Sequence, residues 1–176
     1  MPEPADHEQK EDIMDTAPLR DAYRALLDAA AGVADTDPVP PPGEWNAEQI
    51  LAHVSIISAV TIAAVSAVAS GAIATYDNRM AQEGWTIERV IAQAGGGAGL
   101  RDRIALQADA LCSLGGPMLS DAELDTLVPT RLVSNGALLV DQPVPLRDLL
   151  GGLTETELPG HTRQILALAP SGAGGD

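Results

Sequence analysis

The chain has 176 residues, 45% of them hydrophobic, which is enough for one ordinary domain with a core and too few for two. Ten Lys and Arg against 25 Asp and Glu leave a net charge of −15, which repels phosphate backbones and anionic lipid, so neither nucleic acid nor a membrane is an expected partner. A single cysteine, Cys112, excludes an internal disulfide, and with no basic, apolar leader near residue 1 the expected location is the cytoplasm.

Residues 1–15 carry six acids (Glu3, Asp6, Glu8, Glu11, Asp12, Asp15) against Lys10 and read as a solvated, disordered tail. Asp15 or Thr16 can cap a first helix, with Pro18 in its first turn and Leu19, Tyr23, Leu26 and Leu27 at helical spacing through about Val33. The run TDPVPPPGE cannot continue it, because proline lacks an amide donor and restricts the residue before it. Asn46 with Gln49 has capping-box spacing and Trp45 with Ile50 the spacing of a hydrophobic staple, so a second helix starts there.

From Ile50 to Thr75 the second helix is uncharged and long enough to span a bilayer. Its Ala, Ser and Gly content, His53 and the absence of a basic flank favour instead a central helix touched on several sides. Its small residues would let neighbouring helices or a second subunit approach closely. Asp77 and Asn78 mark a break. A short amphipathic helix from Thr86 then stops at Gly95–Gly99, a glycine run that lacks the Lys and Ser or Thr of a phosphate loop and reads as a flexible connector.

A fourth helix is expected from Leu100 to about Leu114, with Leu100, Ile104, Leu111 and Cys112 inward. Nothing near Cys112 is electropositive, so it reads as an inert buried thiol. Ser120 with Glu123 is another capping box, opening a short helical turn. Two β-prone runs then flank Asn135 and Gly136, the dipeptide suited to a two-residue hairpin. Leu146–Leu150 forms a helical turn, a last helix runs from about Leu158 to Leu168, and residues 170–176 form a second tail.

Two histidines fall in the expected globular part, residues 16–169, whereas His7 lies in the acidic tail. On a helix, residues three, four and seven apart share a face, so His53 lies with Ile50, Ile57 and Val60, and His161 with Ile165 and Leu168. Both rings point at the core, where an imidazole needs a hydrogen-bond partner or a metal. Arg163, beside His161, is expected to face water.

GEWNAEQILAHV resembles the tryptophan-containing segment of the DinB-like (DinB/YfiT) superfamily, in which a following histidine is the first metal ligand; HTRQI, His161 to Ile165, resembles the end of that family's late histidine cluster. The resemblance implies an all-α, up-and-down four-helix bundle, here with a small β-hairpin insertion before the last helix. It also implies a homodimer and a divalent metal (Zn, Ni, Fe or Mn) held at one end of the bundle. In some relatives that metal activates a low-molecular-weight thiol such as mycothiol or bacillithiol for transfer or isomerisation. Carried over, His53 matches the first ligand and His161 the last; four residues before His161, where the family has histidine, this chain has Glu157. Glutamate can replace histidine on such a cation. Equally, Glu157 reads as a solvent-facing acid at a helix start, and Pro159 with Gly160 stand between it and His161. The alternative to a metalloenzyme is a non-enzymatic dimeric scaffold or small-ligand binder of the same fold with a degenerate site.

Overall fold

A computed structural model describes residues 13–36 and 38–169; of the expected tails, 1–15 and 170–176, residues 1–12 and 170–176 lie outside the described residues. The elements run α1 (Ala17–Val33), α2 (Ala47–Ala69), β1 (Tyr76–Asp77), a 3-10 turn (Arg79–Gln82), α3 (Gly84–Ala94), α4 (Gly97–Gly115), α5 (Asp121–Leu124), β2 (Leu127–Ser134), β3 (Ala137–Pro145), α6 (Leu146–Gly152), a π-helical turn (Leu153–Glu157) and α7 (Leu158–Ala167).

The all-α four-helix-bundle expectation is corrected: the molecule is mostly helical but carries a small mixed sheet of three strands in the order β1-β2-β3. The hairpin turns at Asn135 and Gly136, both at positive φ as a two-residue loop requires. What the pattern did not reveal is that β2 has a second, parallel neighbour, with Tyr76 opposite Thr130 and Asp77 opposite Arg131. A strand of two residues is too short to display an alternation. Asn78 extends that pairing with its side chain, donating to the Val133 carbonyl at 3.0 Å and accepting from the Val133 amide at 2.8 Å. These bonds meet β2 where the β2–β3 register slips, between Leu132 and Val133.

Helix α2 starts at the expected box: Asn46 Oδ1 accepts from the Gln49 amide at 2.9 Å, and the Asn46 amide donates to Gln49 Oε1 at 3.0 Å. It ends at Ala69 rather than Thr75, where Ser70 and Gly71 turn the chain. Among the described residues it is the one helix long and apolar enough to cross a membrane, and 67% of its most apolar stretch is buried inside the molecule. It packs chiefly on α4 and also meets α3, α6, α7 and β1, which accounts for apolarity on every side.

Two tyrosines reach this helix. Ser58 Oγ gives its only proton to the Val54 carbonyl, so the Tyr23 hydroxyl, 2.7 Å away, donates to Ser58; by the same reasoning Tyr76 donates to Thr61, which is committed to the Ile57 carbonyl. Burial pushes both phenols up from their ordinary range. A tyrosine whose folded pKa exceeds its unfolded value of about 10 contributes its full stability below that pH. Above it the unfolded chain ionises first and stability falls. Urea midpoints should therefore fall progressively as pH rises above about 10, and Tyr23→Phe with Tyr76→Phe should flatten that drop; an unchanged alkaline limb in the double variant would contradict the assignment.

The glycine run is not a flexible connector. Gly95, at positive φ, closes α3, and α4 already begins at Gly97, whose amide donates to Glu48 Oε1 on α2 at 2.7 Å. A Cβ on Gly99 would lie 1.8 Å from the Ala94 carbonyl oxygen, so the two helices meet there backbone to backbone.

The chain from Leu146 to Ala167 is a single helical path through α6, the π turn and α7. The Leu158 amide bonds to the Leu153 carbonyl, five residues back, which widens the helix just before Pro159. A proline ring crowds the carbonyl four residues behind it, and the wider turn accommodates that ring without ending the helix. Helix α7 lies against α1, with Leu158 and Ile165 fully buried.

Candidate metal centre

The capping box fixes the start of α2, and with it the phase that turns His53 into the core, where it is 4% exposed. Its Nδ1 lies 2.7 Å from the carbonyl oxygen of Ala81, in the 3-10 turn. A carbonyl only accepts, so Nδ1 carries a proton and Nε2 is the free end of the ring. On α7, His161 Nδ1 stands 2.7 Å from Gln164 Oε1, one helical turn on, and is likewise the protonated nitrogen.

Both free nitrogens face one atom. Glu157 Oε1 is 2.9 Å from His53 Nε2 and 3.1 Å from His161 Nε2. The widened turn keeps Glu157 in helical phase with His161 despite Pro159 and Gly160, so the shared face that those residues put in doubt exists. The two imidazole centroids are 4.7 Å apart at an interplanar angle of 60°, and Trp45 covers His53 from another side with its ring centroid 5.1 Å away.

Two neutral rings protonated at Nδ1 would each press a lone pair against a carboxylate oxygen, which is repulsive. Something positive must relieve this: a proton on each Nε2, or a cation among the three ligand atoms. With protons in place, hydrogen bonds from His161 first and His53 second hold the Glu157 carboxyl far below the usual carboxylate range, against the upward push of burial. With a cation, the three ligand atoms all lie within 4.8 Å of one another. Bonds of about 2.1 Å place neighbouring ligand atoms roughly 3 Å apart, which the two nitrogen–oxygen separations match. His53, Glu157 and His161 thus form a group that could hold a metal ion.

No family model, curated protein or solved structure matches this chain.

The group sits in the wall of a cavity of about 1030 Å³ enclosed by the proline-rich loop, α2, the hairpin and the α6–α7 path. The three residues named from the sequence meet here although His53 and Glu157 are 104 positions apart. Glu157 is half-buried at the site rather than simply facing solvent. Arg163 is exposed, as expected, and Cys112 is buried beneath α1, where burial pushes its thiol up and makes it less reactive. His7 lies outside the described residues. Sequence reasoning missed the two partners of the Nδ1 atoms. Gln164 carried a usable signal, its i+3 spacing from His161; the Ala81 carbonyl carried none, because a backbone acceptor leaves no mark on residue type.

Proposed function

We propose that this protein is a DinB-like metalloprotein in which His53, Glu157 and His161 hold a divalent ion at the wall of the cavity. The observation that carries the reading is the convergence of both Nε2 atoms on one carboxylate oxygen while both Nδ1 atoms are occupied by oxygen acceptors. Metal-binding histidines characteristically donate their other nitrogen to such a partner, which fixes the tautomer and the ring orientation. The resemblance of GEWNAEQILAHV and HTRQI to DinB-like segments supports it independently. Two imidazoles and a carboxylate form a borderline donor set suited to Zn, Ni, Fe or Mn and leave open positions.

Such an ion, when bound, lowers the pKa of a water or thiol in its open position and supplies a nucleophile near neutral pH. The chain's own residues orient and shield. Ala81 and Gln164 set the rings, Trp45 screens His53 from water, and the cavity receives the rest of the ligand. On this reading the activity is transfer or isomerisation that depends on a low-molecular-weight thiol; the same resemblance carries the proposal of a homodimer, and the single cysteine that of a cytoplasmic location.

Elemental analysis of protein purified without chelator tests the metal. About one equivalent of a first-row divalent ion is expected, and metal affinity should weaken on acidification because the ligands must be deprotonated. Protein that comes metal-free and also ignores added Zn, Ni and Mn overturns the reading.

A second reading, a non-enzymatic small-ligand binder, is favoured by one observation: with a proton on each Nε2, the carboxylate satisfies both rings with no ion at all. Ligand binding that survives His53→Ala with His161→Ala would select it.

A further inference from the structure

The two imidazoles of the site have different supports. His161 Nδ1 is fixed within its own helix, by Gln164 one turn on. His53 Nδ1 is fixed from outside α2, by the Ala81 carbonyl 28 positions further along the chain. A hydrogen bond to a carbonyl is directional, so the His53 ring keeps its setting only while the 3-10 turn Arg79–Gln82 keeps its rotation. Ala81 is fully buried where the turn meets α2, but a methyl contact fixes how closely the turn approaches and not how it is rotated. The rotation is set at the two ends of the turn, and both are fastened to one residue of β2. Asn78, just before the turn and 8% exposed, donates to the Val133 carbonyl at 3.0 Å and accepts from the Val133 amide at 2.8 Å. Gln82, the last residue of the turn, donates its side-chain amide to the same carbonyl, whose two lone pairs can serve both donors. Val133 lies in the hairpin wall of the cavity, directly after the register slip, where a ladder is locally disrupted and its peptide groups are open to side-chain partners.

We infer that Asn78 and Gln82 are positioning residues for the metal centre: by fastening the 3-10 turn to β2 they aim the Ala81 carbonyl at His53, so that the hairpin, and not α2 alone, sets the first ligand. Coupling of this kind needs a contiguous chain of contacts, and Val133, Asn78, Ala81 and His53 form one. His53 Nε2 is then held toward Glu157, whereas His161 reaches the same carboxylate without help from the sheet. The inference rests on the metal reading for the purpose it gives the ring; the linkage itself runs through side chains and backbone whether or not an ion is bound.

The test reads the His53 ring directly. Its Nδ1 proton, buried and bonded at 2.7 Å, should exchange slowly with water and give a distinct proton–nitrogen NMR signal, retained in His161→Ala and absent from His53→Ala. In Asn78→Ala with Gln82→Ala that proton is expected to exchange at least about tenfold faster. Zinc affinity, measured by calorimetry, should fall about three- to tenfold in the same protein, less than for loss of a direct outer partner, because the two side chains act through Ala81. Each single substitution should act in the same direction to a smaller extent, and carries the test if the pair together unfolds the chain. Tyr23→Phe is the control: it removes a buried hydrogen bond to the same helix, at Ser58, and leaves the turn intact, so its ring exchange and zinc affinity should match the parent's. Ring exchange that stays parent-like in the double variant overturns the inference, and so does an equal acceleration in Tyr23→Phe. Protein that binds no zinc but shows the faster exchange loses the metal reading and keeps this one, whereas zinc binding with unaltered exchange has the opposite meaning.

Discussion

Replacing His53 by alanine is expected to lower zinc affinity by more than about 100-fold, because losing even an outer partner of a metal ligand costs 10- to 100-fold and His53 would be a ligand itself. The ring is 4% exposed and makes two bonds, to Ala81 and to Glu157, so the substitution also strands a buried carbonyl and opens a gap beside Trp45. A loss of about 1–3 kcal/mol in folding stability should accompany it. His161→Ala separates the two effects. Its side chain is 13% exposed and its Nδ1 is bonded to an exposed glutamine, so metal affinity should fall similarly while stability falls less. Calorimetric zinc titration and thermal melting of both variants are the measurements. Parent-like zinc affinity in either variant would sink the assignment of the ligands.

Gly99→Ala is the substitution expected to damage folding most. The added methyl would sit 1.8 Å from the Ala94 carbonyl oxygen, and because that atom belongs to the backbone of α3, no rotamer change can clear it. The helices must separate, at a cost of about 3 kcal/mol or more. Gly97→Ala, two residues earlier, is the control: its Cβ would come no closer than 3.4 Å, to a flexible Glu48 side chain. Restricting the unfolded chain there should leave stability within about 1 kcal/mol of the parent. Urea denaturation of both proteins tests the contrast. Equal stabilities would mean that the two glycines are interchangeable spacers after all.

That contrast bears on what could be read from the residues alone. A glycine selected for the absence of Cβ and a glycine selected for mobility look alike in a sequence, and GGGAG contains both a helix stop and a helix contact. Capping boxes proved better guides because the signal and the structure are the same few atoms: Asn46 with Gln49 and Ser120 with Glu123 both formed as spaced. The hairpin was legible through Asn135 and Gly136, since few other pairs tolerate positive φ twice. Its parallel neighbour β1 was not, and the three-stranded mixed sheet they form together takes the fold out of the all-α class.

The site was legible in an uneven way. Helical spacing put His53 and His161 on inward faces, and the structure brings them together. Glu157 was left between a ligand and a solvent-facing acid, because a proline and a glycine between it and His161 ordinarily break the phase on which such an argument depends. Neither residue type announces a π turn, which is a property of how the surrounding helix packs.

The turn at Leu153–Glu157 makes two features of the chain interdependent. The surplus residue it absorbs and Pro159 are matched: shortening the segment by one position would return the pyrrolidine to the oxygen of Glu155, and exchanging the imino acid alone would leave an unneeded loop-out in an otherwise regular rod. Natural sequences descended from the same ancestor are expected to have kept both or lost both, so that gaps in this stretch track the amino acid two places beyond it.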